Sequence, residues 1–233
     1  MLAITDAVRE LDRDLRQLFG NRLRSVVAYA PLGGTQAPAS TMAIVDTLTG
    51  DDLRACAARM PAWSDAGLAT PILVAEHEFG RSLDAFPFEF GGIMANHVLV
   101  SGTDPFAGLH VEPGDLRRAC EIQARSHLLH LREGFLETEG RSDAAADLLS
   151  RSSRALAALL RGVSRLLGGP SERLEEAARH VEERIGVRPG SLGDVATHAD
   201  GQPITPTRGR ELFPAYLDGV TRLVNYVDRW TVN

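Results

Sequence analysis

The spacing of apolar residues in the first half of the chain changes several times between helix-like and strand-like patterns. Val8, Leu11, Leu15 and Leu18 recur at helical spacing, and Gly20-Asn21 ends that pattern. The β-branched run 25–28 follows it and predicts the first strand. The chain therefore begins with a helix that leads directly into a strand.

Further short apolar runs continue the alternation as far as residue 100. The order predicted from these runs is a strand at 42–48, a helix at 51–67, a strand at 71–75, and two more strands at 86–90 and 97–100. Acidic residues lie in the first turn of the helix at 51–67, where they interact favourably with the positive end of the helix dipole. The pair Gly91-Gly92 separates the last two strands.

Beyond residue 110 the apolar residues follow helical spacing. Pro113 marks the start of a long helix, a second helix runs over 142–167, and Gly168-Gly169-Pro170 ends it. Ser171 is the predicted cap of a third helix that ends at Gly186, and a last helix follows a Pro-, Gly- and Thr-rich segment at 188–209.

This change of pattern predicts two domains. Strands interleaved with helices predict a mixed-sheet α+β domain over 1–110, and the helical stripes predict an all-helical bundle over 111–233. The overall fold class is α+β.

Composition excludes several functions. The net charge of −6 argues against general nucleic-acid binding and against anionic membranes, because both require a basic surface. All 25 basic residues are arginine, so a lysine nucleophile, a Schiff base and a phosphate-loop lysine are excluded. Two cysteines, no signal-peptide pattern and no long apolar run lead us to expect a cytoplasmic bacterial protein without a membrane span.

Two stretches of the sequence resemble bacterial minimal nucleotidyltransferase-domain proteins. Residues 25–48 read as strand, Gly-rich turn and strand, the layout of polymerase-β-like nucleotidyltransferases. Residues 84–136 resemble the family patterns F-P-x-E-F-x-D-I, H-x-V-L-Y-G-x-D-P and L-R-x-x-x-E-x-x-x-R-x-x-x-x-x-L-R. The residues that match these patterns are Phe86, Pro87, Glu89, Phe90, Ile93, His97, Val98, Leu99, Gly102, Asp104, Pro105, Leu116, Arg117, Glu121, Arg125, Leu131 and Arg132.

The resemblance implies a nucleotidyltransferase-like mixed sheet with helices, followed by a helical bundle, and it also implies a damaged active site. In this family a Gly-Ser turn cradles a phosphate, and two carboxylates on alternate positions of one strand hold Mg²⁺. Ala30-Pro31 occupies the position of Gly-Ser here, and Thr41 and Ala43 occupy the positions of the carboxylates. Of the metal-binding groups only Glu89 matches, as the third carboxylate.

No other residue obviously replaces the lost carboxylates. Asp46 lies five residues after Thr41, so on a regular strand it points to the opposite face, and only a shift of register would bring it to the same face. We therefore expect no cofactor and no metal-dependent nucleotidyl transfer.

Other short motifs admit two interpretations each. Gly33-Gly34-Thr35 is either a phosphate-binding loop or a plain turn, and the missing lysine favours the turn. His127 and His130, with Glu133 nearby, form either half of a zinc site or part of a solvated helix face, and the absence of a second ligand pair favours the latter. Arg125 with His130 also fits the loose Arg-x₄-His pattern of helical ribonuclease domains.

We therefore predict a small-molecule site in a cleft between the two halves. Its candidate catalytic residues are Tyr29, Glu89 and Arg125, and its candidate ligand-binding residues are Gly33, Gly34, Thr35 and His97. Each has a structural alternative, such as an ion pair of Arg125 with Glu121 one turn earlier. Asp104 is a further candidate for the same cleft.

Three functions remain open from the sequence. The first is a binding or regulatory module, or the partner subunit of another protein or of a second copy, without transferase activity. The second is a metal-independent cyclase, lyase or isomerase that uses the same cleft. The third is an RNA-cleaving helical domain, which the acidic charge disfavours.

Overall fold

The computed structural model describes residues 4–29 and 38–231, and the chain folds as two compact units, Met1–Val111 and Glu112–Asn233. Within the described residues, no helix has both the length and the apolar character needed to cross a membrane. All strands of the described residues lie in the first unit.

The first unit combines a small mixed sheet with helices. Its elements in chain order are α1 (Asp6–Phe19), β1 (Leu23–Tyr29), β2 (Ser40–Val45), α2 (Gly50–Asp65), β3 (Ile72–Ala75), α3 (Glu76–Ala85), α4 (Pro87–Ala95) and β4 (His97–Gly102). The strand order is β3-β2-β1-β4. β1 is antiparallel to both β2 and β4, whereas β3 runs parallel to β2 after the crossover through α2.

Each face of the sheet is covered by a different pair of helices. Alternate side chains of β1 and β2, including Val26, Ala28, Ala43 and Val45, pack with α1 and α2 around Leu11, Leu15 and Trp63. The intervening side chains, including Val27, Met42 and Ile44, pack with α3 and α4 around Phe79, Phe90 and Ile93. The alternation of strand side chains thus places the middle of the sheet between two apolar layers.

The second unit is helical. Its elements are α5 (Pro113–Glu137), α6 (Ser142–Leu166), α7 (Leu174–Ile185), α8 (Gly193–Ala196) and α9 (Pro206–Arg229). Pro113 lies in the first turn of α5, and Gly186 ends α7 with a left-handed backbone, as the sequence predicts. The predicted strands at 42–48, 71–75 and 97–100 also match β2, β3 and β4 closely.

Two local predictions are wrong. Residues 86–90 begin the helix α4 rather than a strand, because Pro87 occupies the first helical turn and Phe90 and Ile93, three apart, both pack into the core. Ser171 does not cap the third helix, which begins at Leu174 after Arg173.

A buried carboxylate organises the segment between α7 and α9. Glu182 is 4% exposed, and its two oxygens accept hydrogen bonds from the backbone N–H groups of Gly190, Leu192 and Gly193 at 2.7–2.9 Å. A carboxylate that is held by several N–H donors is compensated for its loss of water. The Pro-, Gly- and Thr-rich sequence of this segment suggests a loop. The contact with Glu182 nevertheless gives the segment a defined structure that includes α8.

The bundle also encloses a polar trio. Nε2 of His127 in α5 lies 2.5 Å from the hydroxyl of Tyr216 in α9, and that hydroxyl lies 3.3 Å from Oγ of Ser152 in α6. Burial, together with the nearby His130, lowers the pKa of His127 to about 4. Burial raises the pKa of Tyr216 above its ordinary value. The neutral imidazole and the neutral phenol are therefore the forms that stabilise this core.

We predict that His127 makes the protein less stable in acid. The pKa of His127 is lower in the folded protein than in the unfolded chain. The contribution of its neutral imidazole to the free energy of unfolding is therefore complete above about pH 6.5 and is lost as the pH falls toward 4. The control variant His127→Gln keeps a hydrogen-bonding group that does not titrate. Urea unfolding at pH 7 and pH 4 should show that the free energy of unfolding falls by about 3 kcal/mol more in the wild type than in His127→Gln. Equal losses in the two proteins would contradict the assignment.

Candidate functional site at one end of the sheet

Polar side chains of the first unit meet at the end of the sheet where β1 finishes. Tyr29, the last residue of β1, pairs with Ser40 of β2 on one side and with His97 of β4 on the other. Cross-strand partners lie close together on the same face of a sheet. Two of the predicted site residues, Tyr29 and His97, are therefore direct neighbours.

Tyr29 is partly buried at the edge of the apolar layer under α3 and α4. Burial raises the pKa of its phenol, and a hydrogen bond with Ser40 opposes that shift. The phenol is therefore neutral near pH 7, so it can donate or accept a hydrogen bond but is not a phenolate base. Ser40 was not among the predicted site residues, because its pairing with Tyr29 depends on the strand register.

Both ring nitrogens of His97 are already engaged. Nδ1 lies 3.1 Å from the carbonyl oxygen of Met94, and Nε2 lies 3.2 Å from Oδ1 of Asp104. The ring also contacts the ring of Phe106 at a centroid distance of 4.8 Å. An imidazole needs a nitrogen directed at a substrate to act as a base. This arrangement instead orients the loop that follows β4.

Asp104 holds that loop through one oxygen. Its Oδ1 accepts a hydrogen bond from the backbone N–H of Phe106 at 2.9 Å, in addition to its contact with His97. The side chain of Asp104 is 41% exposed. No hydrogen bond of its second oxygen, Oδ2, is found within the described residues, so that oxygen is the anionic group of this cluster best placed to meet a ligand.

The glycine between His97 and Asp104 is required by backbone packing. Gly102 has a φ of +82°, and a Cβ there would lie 1.9 Å from the carbonyl oxygen of Arg24 in β1. Only glycine permits both the left-handed backbone and this close approach. The segment His97 to Pro105, with the sequence HVLVSGTDP, therefore encodes the end of β4 and its turn.

Glu89 and Arg125 belong to different units. Glu89 is exposed in the first turn of α4, and no hydrogen bond or ion pair of its carboxylate is found within the described residues. Arg125 belongs to the second unit, where its side chain is 53% exposed and donates hydrogen bonds to Glu121 at 3.2 Å and Asp228 at 2.5 Å. The structural alternative for Arg125, the ion pair with Glu121, is present.

The two positions where the resemblance leads us to expect metal-binding carboxylates lie in the protein interior. Thr41 and Ala43 are both 0% exposed. Ala43 packs in the layer formed by α1 and α2, and Thr41 lies on the same face, paired with Ala28. The hydroxyl of Thr41 has no hydrogen-bond partner among the described residues. Asp46, after the end of β2, instead forms an ion pair with Arg24.

Several predicted positions cannot be placed. Ala30 and Pro31, as well as the candidate ligand-binding residues Gly33, Gly34 and Thr35, lie outside the described residues.

The histidine pair of α5 does not come together as the start of a zinc site. His127 is hydrogen-bonded to Tyr216 in the bundle core, while His130 is exposed and lies 3.3 Å from Glu133. Among residues 4–29 and 38–231, no three His, Cys, Asp or Glu side chains are grouped as a metal site would require.

Comparison with known proteins identifies the fold. The chain is similar to the crystal structure of spectinomycin adenyltransferase AAD(9) from Enterococcus faecialis with ATP and spectinomycin, with a TM-score of 0.59 and 11% sequence identity. The match covers 96% of this chain and 99% of that chain. No protein-family model matches the sequence, and no curated protein matches it. The predicted nucleotidyltransferase-like α+β fold is confirmed, and at this identity the similarity establishes the fold alone.

Substitution of Thr41 tests whether the face of β2 that carries Thr41 is buried under α1 and α2. We predict that Thr41→Val keeps or raises the free energy of unfolding, by up to about 1 kcal/mol, because it removes a buried hydroxyl that lacks a partner. Thr41→Asp should lower the free energy of unfolding by about 3 kcal/mol or more, because it buries a charge against α1 and α2. The matched control is Thr47→Asp at an exposed position just after β2. Urea unfolding that finds Thr41→Asp as stable as Thr47→Asp would contradict a closed face.

Proposed function

We propose that this protein has a nucleotidyltransferase-like fold without nucleotidyltransferase chemistry, and that it binds a small polar molecule at the end of the sheet marked by Tyr29. The observation that carries the first part is the complete burial of Thr41 and Ala43. Divalent cations such as Mg²⁺ need several oxygen ligands, usually carboxylates. A buried hydroxyl and a methyl group do not fit such an ion.

The groups around Tyr29 define the class of ligand. The phenol of Tyr29 and the hydroxyl of Ser40 offer neutral hydrogen bonds, and the exposed carboxylate of Asp104 offers a negative charge. This combination favours a neutral or cationic molecule that carries hydroxyl or amino groups, and it disfavours a triphosphate because like charges repel.

Binding is better supported than catalysis. A metal-independent enzyme at this place needs a base, yet the phenol of Tyr29 is neutral and both nitrogens of His97 face other partners. Arg125, one of the predicted catalytic residues, is paired with two carboxylates in the helical unit. Within the described residues, the exposed carboxylate of Asp104 is the group of this cluster left to act as a base, so the enzyme alternative rests on that group.

Spectinomycin is a suitable probe for this proposal, because it is an amine rich in hydroxyl groups and is bound by the structural neighbour. We predict that calorimetric titration in the presence of a chelator, without ATP, detects binding to the wild type. Tyr29→Phe should weaken it about 3- to 10-fold through the loss of one hydrogen bond. Tyr226→Phe in α9, a matched control in the other unit, should bind as the wild type does. No binding, or equal binding by all three proteins, would contradict the assignment.

The same samples test the absence of transfer chemistry. With ATP, Mg²⁺ and spectinomycin together, we expect no release of pyrophosphate. Release that a chelator abolishes would show that a metal site exists and would refute the proposal.

A further inference from the structure

A cavity of about 490 Å³ lies in the helical unit, where the C-terminal ends of α7 and α9 meet. One face of α9 lines it with Arg222, Asn225, Tyr226 and Arg229, which follow the helical spacing of three and four residues. Arg184, in the last turn of α7, lines it as well. A cavity of this volume suits a small molecule. We call it the arginine cavity.

Positive charge collects at the arginine cavity, although the chain has a net charge of −6. Arg184, Arg222 and Arg229 line it, and none of its described lining residues is acidic. Within the described residues, no hydrogen bond or ion pair of the Arg184 and Arg229 side chains is found, whereas Nε of Arg222 donates to Asp218 at 2.9 Å. The negative ends of two helices offset about half a charge each, so with Asp218 they leave the cavity a positive charge of about one.

Two aromatic side chains complete the wall of the cavity. Tyr226 lies between Arg222 and Arg229 on the same face of α9, and Trp230 follows the helix directly. Both are partly buried, so each keeps some surface open to the cavity. A planar ring stacks on such a surface, and an arginine beside it pairs with an anionic group of the same ligand.

The helix dipole alone does not explain this arrangement. An arginine in the last turn of a helix stabilises the negative end of the dipole, and this role accounts for Arg184 and for Arg229 separately. It does not account for Arg222, which lies two turns before the end of α9. Nor does it account for an aromatic wall between the arginines.

We propose that the arginine cavity binds a small organic phosphate that carries a planar ring. The phosphate pairs with the three arginines, and the ring stacks on the wall formed by Tyr226 and Trp230. A phosphate suits three arginines better than a carboxylate does, because it has three terminal oxygens that accept hydrogen bonds from guanidinium groups.

The charge of the cavity excludes other classes of ligand. A cationic amine is repelled by the arginines, so this cavity and the proposed site at Tyr29 take different ligands. A long nucleic acid binds through many phosphate contacts along a basic surface. Three arginines in one cavity match a single phosphate group instead.

The indole N–H resonances of ¹⁵N-labelled protein show where a ligand binds. The chain has two tryptophans, and Trp63 is 2% exposed in the first unit, where its indole donates a hydrogen bond to Asp14. The probe is 1-naphthyl phosphate, added with a chelator. We expect it to shift the indole resonance of Trp230 and to leave that of Trp63 unchanged. Trp230→Phe assigns the two resonances, because it removes one of them.

Calorimetric titration with the same probe tests each part of the cavity. We expect the wild type to bind with a dissociation constant on the order of 100 μM. Arg184→Gln and Arg229→Gln should each weaken binding about tenfold, because each removes a charge-assisted hydrogen bond. Trp230→Ala should weaken it at least about fivefold, whereas Trp230→Phe keeps a stacking surface and should stay within about threefold of the wild type.

Arg179→Gln is the matched control. Arg179 is an exposed residue of α7 that does not line the cavity, so this variant loses the same charge from the same helix and should bind as the wild type does. Circular dichroism checks that every variant is folded. Inorganic phosphate and 1-naphthol should each bind at least about tenfold more weakly than 1-naphthyl phosphate, because each lacks one half of the ligand.

Several results would overturn the proposal. One is a Trp230 resonance that the probe does not shift, and another is binding by Arg184→Gln and Arg229→Gln that equals that of Arg179→Gln. Binding of 1-naphthol as tight as that of its phosphate ester would show that the arginines do not hold the anion. Equally tight binding of inorganic phosphate would show that the aromatic wall does not hold the ring.

Discussion

The burial of β2 on both faces is the constraint on which the rest of the first unit depends. Every side chain from Thr41 to Val45 is buried, with alternate residues in the layer of α1 and α2 and in the layer of α3 and α4. A strand with no open face has no room for carboxylates that must remain charged and reach a ligand. The fold is nucleotidyltransferase-like, and in this chain β2 belongs to the core of the first unit.

Chemistry at the end of the sheet follows from the same packing. Tyr29 lies where β1 leaves the two apolar layers, and its neighbours Ser40 and His97 are fixed by strand pairing. The aromatic contacts of Phe106 with His97 and Phe79, together with the hydrogen bonds of Asp104, hold the loop after β4 against this end. The partly buried hydroxyls of Tyr29 and Ser40 and the exposed carboxylate of Asp104 are the groups on which the proposed binding of a polar molecule rests.

Local patterns were sufficient to predict the elements whose signals lie within a few residues. The β-branched runs of β1 and β2, Pro113 at the start of α5 and Gly186 at the end of α7 are examples. Residues 86–90 were predicted wrongly, because Phe86, Phe88 and Phe90 alternate as in a strand, whereas the structure buries Phe90 and Ile93 on one side of a helix. The segment after Gly186 depends on Glu182, whose partners are 8 to 11 residues away, and no local pattern reports that contact.

The candidate site was predicted only in part, for the same reason. Tyr29 and His97 were singled out from the sequence because of their places in or beside predicted strands. The hydrogen bonds that occupy both nitrogens of His97 depend on where α4 ends and how the next loop turns. The role of Arg125 depends on Asp228, which is 103 residues away in the sequence. Contacts of this kind are set by tertiary packing and are invisible to spacing rules.

We propose that β2 has no metal site, and a crystal grown with ATP and Mn²⁺ tests this most directly, because anomalous scattering at the manganese edge locates any bound ion. We predict no anomalous peak within coordination distance of the segment from Thr41 to Ala43. A peak there, with the nucleotide phosphates as further ligands, would contradict it.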